Sequence, residues 1–265
     1  MFGQDFCKHY RVLMRITTNN NESINMKLIE ELLTKNQKEL KEFLFEKMTN
    51  HGYDVTRNDA ESGYLKCEFS NGHHSLLIAH LDTYNSVVPK RIVVKGNIIV
   101  GYDNENERCI LGGDDRCGVY IILKLLENGY RPQVLFTEDE ENGCLGAKAF
   151  KNNEEQFLEK IDYCIQIDRC INDNPDNYVD YDVSNEHFNK FIERLGFDIK
   201  MTGTSSDVKH IAPYLKIPGV NVCAGYHNEH GADEYINMEV VEKTYSKLQK
   251  IYENRNDNVV SYDYV

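Results

Sequence analysis

The chain has 265 residues, 41% hydrophobic and 28% charged, with a formal net charge of -13, a composition that excludes a disordered or collagen-like polymer and allows one sizeable core. The acidity, with no cluster of Lys and Arg to interrupt it, excludes a phosphate-neutralising surface, so no nucleic-acid partner is expected. Apolar runs such as Val119 to Leu126 are too short to span a bilayer, and no basic segment followed by an apolar one opens the chain, so no membrane is expected and the cytoplasm is the expected location.

In chain order, the polar run ending at Ser23 reads as a loop, and the Ile and Leu spacing from Ile24 to Leu33 predicts a helix. A second amphipathic helix places Leu40, Phe43, Leu44 and Met48 on one face and stops at Gly52. From Tyr53 to Thr83 the texture is β-rich, with Leu76 to Ala79 as a strand buried on both faces. Alternating segments around Lys95-Gly96-Asn97 predict a hairpin within Arg91 to Leu111. Val119 to Leu126 follows as a helix closed by Asn128-Gly129, then buried strands at Gln133 to Thr137 and Tyr163 to Ile167. After the polar loop from Asn172 to Asn177 come helices over Asn185 to Leu195 and Asp207 to Tyr214, a strand at Val220 to Ala224, and a last helix from Met238 to Tyr252. Strands alternating with helices predict an α/β fold with a mostly parallel mixed sheet covered by helices on both faces. The expected organisation is an extension with a helix over residues 1–36, one catalytic domain over 37–254, and a tail over 255–265. The eight cysteines are scattered through apolar segments with no Cys-x-x-Cys pair, which predicts reduced, buried thiols.

Ligands of such sheets bind beyond the carboxyl ends of the strands. Polar residues stand at those places in this chain. His80 and Asp82 follow Leu76 to Ala79; Glu138 to Glu141 follow Val134 to Phe136; Asp168 follows Ile165 to Ile167; His227 and His230 follow Val220 to Ala224. Two residues apart on an extended segment, His80 and Asp82 project to one face, where a carboxylate can fix the tautomer of a ligating imidazole. Gly112-Gly113-Asp114-Asp115-Arg116 puts carboxylates in a turn of small residues. One of these aspartates could cap a helix and another could bridge cations. Four consecutive acids at Glu138 to Glu141 repel one another unless cations or solvent compensate. Two imidazoles and several carboxylates converging on one sheet edge form a ligand set suited to a pair of zinc ions.

His80-Leu81-Asp82-Thr83, Gly113-Asp114-Asp115-Arg116-Cys117-Gly118, Thr137 to Gly143, Asp168 and His230-Gly231-Ala232-Asp233-Glu234-Tyr235 together resemble the ordered motifs of the co-catalytic di-zinc exopeptidases. The likeness is to peptidase T, the glutamyl and tetrahedral aminopeptidases and, through Gly203 to Asp207 and Gly225-Tyr226-His227, the leucyl aminopeptidases. The resemblance runs from about Ser75 to Tyr235. It implies a single phosphorylase/hydrolase-like catalytic domain without a lid insertion. In it Asp114 bridges two Zn2+, His80 and Asp168 complete one site, and Glu141 and His230 the other, with Co2+ or Mn2+ as substitutes. It further implies Glu140 as the general base acting on metal-bound water, and Asp82 as the residue that orients His80.

The expected activity is that of a zinc-dependent hydrolase, an aminopeptidase acting on short peptides whose amine is met by Glu138, Asp139 or Asp233. A carboxypeptidase or N-acyl amino-acid deacylase would use the same site and add a basic clamp for a carboxylate, for which Arg116 and Arg169 stand beside motif residues. A catalytically inactive metal-binding protein would show replacement of Glu140 or a ligand, and none is replaced. With no inserted domain, transition-state stabilisation would be local, with Tyr226 and His227 as candidates. His210 is a candidate pocket residue.

Overall fold

The computed structural model describes residues 25–153, 155–171 and 174–253. The expected loop through Ser23 and the tail over 255–265 lie outside them. Asn25 caps α1 (Met26–Leu33) by accepting from the Leu28 amide, and the helix buries Leu28, Ile29, Leu32 and Leu33. A capping box between Asn36 and Glu39 opens α2 (Gln37–Asn50). Strands β1 (Asp54–Asn58), β2 (Tyr64–Glu68) and β3 (Ser75–His80) follow, then the hairpin β4 (Arg91–Lys95) and β5 (Ile98–Tyr102) turning at Gly96, and a short β6 (Arg108–Cys109). Beyond these come α3 (Gly113–Glu127), β7 (Gln133–Thr137), α4 (Leu145–Asn152), β8 (Tyr163–Arg169), β9 (Asn177–Val179), α5 (Glu186–Leu195), β10 (Ile199–Lys200) and α6 (Val208–Leu215). Last are β11 (Gly219–Cys223), β12 (Tyr226–His227), β13 (Tyr235–Asn237) and α7 (Met238–Glu253).

The main sheet has eight strands in the order β1-β2-β7-β3-β8-β11-β9-β10. Its centre, β7-β3-β8-β11, is parallel, while β1, β2 and the β11–β9 pairing are antiparallel. Alternate residues of the central strands face opposite ways. Leu77, Ala79, Val134, Phe136, Ile165, Ile167, Val220 and Val222 join one core with α1, α2, α3, α5 and α7, whereas Leu76, Ile78, Leu135 and Cys164 join a second core with α4 and α6. Helices therefore cover both faces, as the alternation of elements predicts. No helix among the described residues is long and apolar enough to cross a membrane.

Two features depart from the sequence expectation. The helix α4 was not anticipated, because it starts directly behind the acidic loop with no side-chain cap and a left-handed Cys144. The hairpin does not stand alone either: β12 and β13 pair with β5 to make a five-stranded antiparallel sheet with β4 and β6. Strands of two or three residues leave no readable period.

Candidate metal centre

The carboxyl ends of β3, β7, β8 and β11 open on one side, and the second sheet closes over them. His80 ends β3 and is buried; its Nε2 lies 2.8 Å from Asp114 Oδ1 and 3.4 Å from Asp168 Oδ1. On the far side of Asp114, Oδ2 lies 3.4 Å from His230 Nε2, and that nitrogen is 2.8 Å from Glu141 Oε1. The two oxygens of one carboxylate thus face two different donor sets. The five residues named from the sequence as ligands are brought together.

Each donor is held by the local chain. Asp82 accepts from His80 Nδ1 at 3.2 Å, and its two oxygens accept from the Glu140 and Glu141 amides at 3.0 Å each. One carboxylate therefore orients the imidazole and pins the acidic loop. Burial pushes the Asp82 carboxyl up, but the His80 charge and these hydrogen bonds outweigh it and hold it below its ordinary value. Asp114 and Asp115 stand in the first turn of α3, joined by a cis peptide bond. Asp115 is fully buried and accepts from the Gly118 amide at 2.9 Å and the His80 amide at 3.2 Å, so it braces the turn against β3. His230 has a left-handed backbone (φ 65°), and its ring stacks on Tyr84 at 4.4 Å between centroids.

Several residues that sequence reasoning missed complete the frame. Glu234 was seen only as a neighbour of His230, yet its buried carboxylate accepts from the amides of Leu111 (2.7 Å), Gly112 (2.9 Å) and Asp114 (3.2 Å). It is the anion that holds the Asp114 turn. Glu234→Ala strands these buried amides and is expected to cost about 3 kcal/mol of unfolding free energy; a denaturation curve unchanged within about 0.5 kcal/mol would remove this role. Asp168 is held by a cluster of polar side chains. Its Oδ2 accepts from Gln166 (2.8 Å), Ser206 (3.3 Å) and Asn221 (3.3 Å), and its Oδ1 from the Tyr226 hydroxyl (3.1 Å). Gln166 and Asn221 are single amides inside apolar strands, which is the signal that would have found them.

Other candidates are spoken for. Glu138 is buried, and its Oε2 accepts from Lys41 at 2.6 Å and the Gly63 amide at 2.8 Å, so it ties α2 to the sheet and is not free to meet an amine. Arg116 is buried with its guanidinium donating to the carbonyls of Leu32, Lys35, Leu81 and Asp82, which leaves it no role as a carboxylate clamp. Tyr226 is committed to Asp168, and His227 stacks on Tyr235 at 4.5 Å. His210 lies within the field of Lys148, Lys151 and Lys209. Asp139 and Asp233 remain accessible.

The donor set fits a metal. Around a tetrahedral zinc with bonds of about 2.0–2.1 Å, neighbouring donor atoms are about 3.3 Å apart, and the four contacts of 2.8–3.4 Å bracket that spacing. The electrostatics agree. Burial, followed by the charge of Asp168, pushes Asp114 up to about 7 and Glu140 up to about 9. Hydrogen bonds to Asp114 and Glu141 raise His230 to about 10. Protons stand where cations would neutralise the cluster, and none of these ligand carboxylates is paired with Lys or Arg among the described residues.

The model of peptidase family M28 matches residues 66–242. Among solved structures the chain is similar to aminopeptidase PepT from Bacillus cereus, at 16% identity and a TM-score of 0.65, covering 86% of this chain and 96% of that one. A tripeptidase from Staphylococcus aureus gives 15% identity and a TM-score of 0.66, with 85% and 96% covered. The glutaminyl cyclase of Porphyromonas gingivalis gives 14% and 0.61, with 86% and 96% covered. At these identities the likeness is one of fold, shared by peptidases and a cyclase. Comparison with curated protein sequences gives no match.

Proposed function

Because the chain belongs to peptidase family M28, a family of zinc peptidases, we propose that it is a di-zinc aminopeptidase acting on short peptides. The observation that carries the reading is the division of the Asp114 carboxylate, with Oδ1 toward His80 and Asp168 and Oδ2 toward His230 and Glu141. These five residues would hold the two ions. Zinc supplies Lewis acidity there, polarising the scissile carbonyl and acidifying water.

Glu140 is the general base. It stands beside Glu141 on the loop that Asp82 fixes through two amides, and it is half-buried with a Cys144 Sγ–Oε1 contact of 3.6 Å. Burial and, after it, the charge of Asp168 raise its proton affinity; with the second cause offset by bound cations, Glu140 would be the group that takes a proton from the attacking water and delivers it to the leaving nitrogen. Asp82 keeps His80 in the tautomer that presents Nε2 to the site. Asp139 and Asp233, both accessible, supply the negative charge that meets a substrate amine. A carboxypeptidase or N-acyl amino-acid deacylase is the second reading, favoured by Arg169.

Purified protein is expected to contain close to two zinc ions per chain and to cleave amino-acid amides and free-amine dipeptides. N-acetylated dipeptides and N-acyl amino acids are expected to remain intact. Cleavage of the blocked substrates alone would select the second reading, and protein without bound metal would remove both.

A further inference from the structure

Arg169 follows the ligand Asp168 directly, and an unbroken strand would turn it to the opposite face of the sheet. A bulge prevents this. The β8–β11 register runs Asn221↔Gln166, Val222↔Ile167 and then Cys223↔Arg169, so Asp168 is the extra residue. Asn221 and Cys223 share a face of β11, and their partners Gln166 and Arg169 share it with them. Asp168 joins that face, as its contact with Gln166 shows. The bulge therefore places a guanidinium beside a proposed metal ligand.

Among the described residues that guanidinium has no hydrogen-bond or ion-pair partner. Arg169 is partly exposed, yet its Nε is enclosed without an acceptor, and it makes no ion pair or hydrogen bond among the described residues. An enclosed N–H without an acceptor is a cost that a bound acceptor removes. The neighbouring wall is built rather than open. Tyr181 lies within the electrostatic reach of Arg169, and its hydroxyl is turned toward Asn221 and Ser206, the same side chains that touch Asp168. Tyr181 and Asp182 both have left-handed backbones. Against this ring lies Gly203, where a Cβ would come within 2.6 Å of it. Strained non-glycine backbone held by tight packing is characteristic of binding sites.

We infer that Arg169 is a clamp for a substrate carboxylate, so that the preferred substrates are short peptides whose carboxylate lies on the Asp168 side of the centre. Planar carboxylates match the guanidinium fork in two parallel hydrogen bonds. The inference rests on the peptidase reading. Its ligand chemistry is shared by a peptide's terminal carboxylate and by an acidic side chain.

The test compares Ala-Ala-Ala, its carboxamide, and a carboxamide carrying Glu in the third position. Steady-state kinetics on the zinc-loaded enzyme is paired with calorimetric binding to zinc-loaded Glu140→Gln, which retains uncleaved peptide. The expected result is a KM and Kd at least about tenfold lower for the acid than for the carboxamide, with the difference abolished in Arg169→Met. Tight binding restored by the Glu carboxamide would assign the clamp to side chains, and its absence to the terminus. Equal binding of acid and carboxamide by the unmodified protein, or a difference that persists in Arg169→Met, overturns the clamp. Absence of turnover with all three peptides would instead count against the peptidase reading, while the binding comparison still decides the clamp.

Discussion

Glu140→Gln is expected to lower kcat by about 10²- to 10⁴-fold while leaving the metal content unchanged. That range is what a positioned proton acceptor contributes. The amide has the shape of the carboxylate, and the Glu140 backbone N–H that Asp82 accepts is untouched, so the loop and the neighbouring Glu141 keep their places. Only the ability to take a proton is lost. Metal analysis and steady-state kinetics on the same preparation separate the two effects. A variant with full metal and turnover within a few-fold of the parent would show that another group accepts the proton.

Asp114→Ala is expected to have the second large effect, on metal content itself. Removing this side chain takes a donor from both sets at once, so bound zinc falls below one ion per chain rather than from two to one. Loss of a single ion would mean that Asp114 serves one site only. The parent protein carries a related pH dependence. With its pKa pushed up to about 7 by burial and by Asp168, the metal-free Asp114 carboxyl holds its proton below that pH. Zinc must displace this proton, so zinc affinity rises as pH rises toward 7 and falls as pH drops below it. Titration with a competing chelator between pH 5 and pH 8 measures the slope.

Much of this architecture is legible in the sequence, for a physical reason. Central parallel strands are covered on both faces and appear as unbroken apolar runs, so Leu76 to Ala79, Val134 to Phe136 and Ile165 to Ile167 announce themselves. The polar residues just beyond them have no other place in such a sheet than its carboxyl edge. What supports them is harder to read. Glu234 reaches the amides of residues more than a hundred positions earlier, and nothing in its neighbourhood signals that contact. Glu138 looks like part of an acidic mouth until Lys41 is seen beneath it. Arg116 stands two residues from Asp114, a proposed metal ligand, yet turns inward to the carbonyls of the α1 end and the β3 end. Sequence adjacency to a ligand therefore does not separate a buried brace from a binding group. The bulge at Asp168 is invisible for the same reason, since it is a property of the pairing with β11 and not of β8 alone.

The second sheet also governs when the centre can come into being. His230 lies between β12 and β13, and β13 pairs both with β12 and with the earlier β5, Tyr235 opposite Val100 and Asn237 opposite Ile98. Glu234, which ties down the Asp114 turn, belongs to the same late segment. The segment up to residue 225 contains the central strands, but not His230, a proposed metal donor, nor Glu234, the anion that shapes the turn. Closure of the β12–β13 hairpin on the earlier β4–β5 hairpin thus completes both the second sheet and the proposed centre.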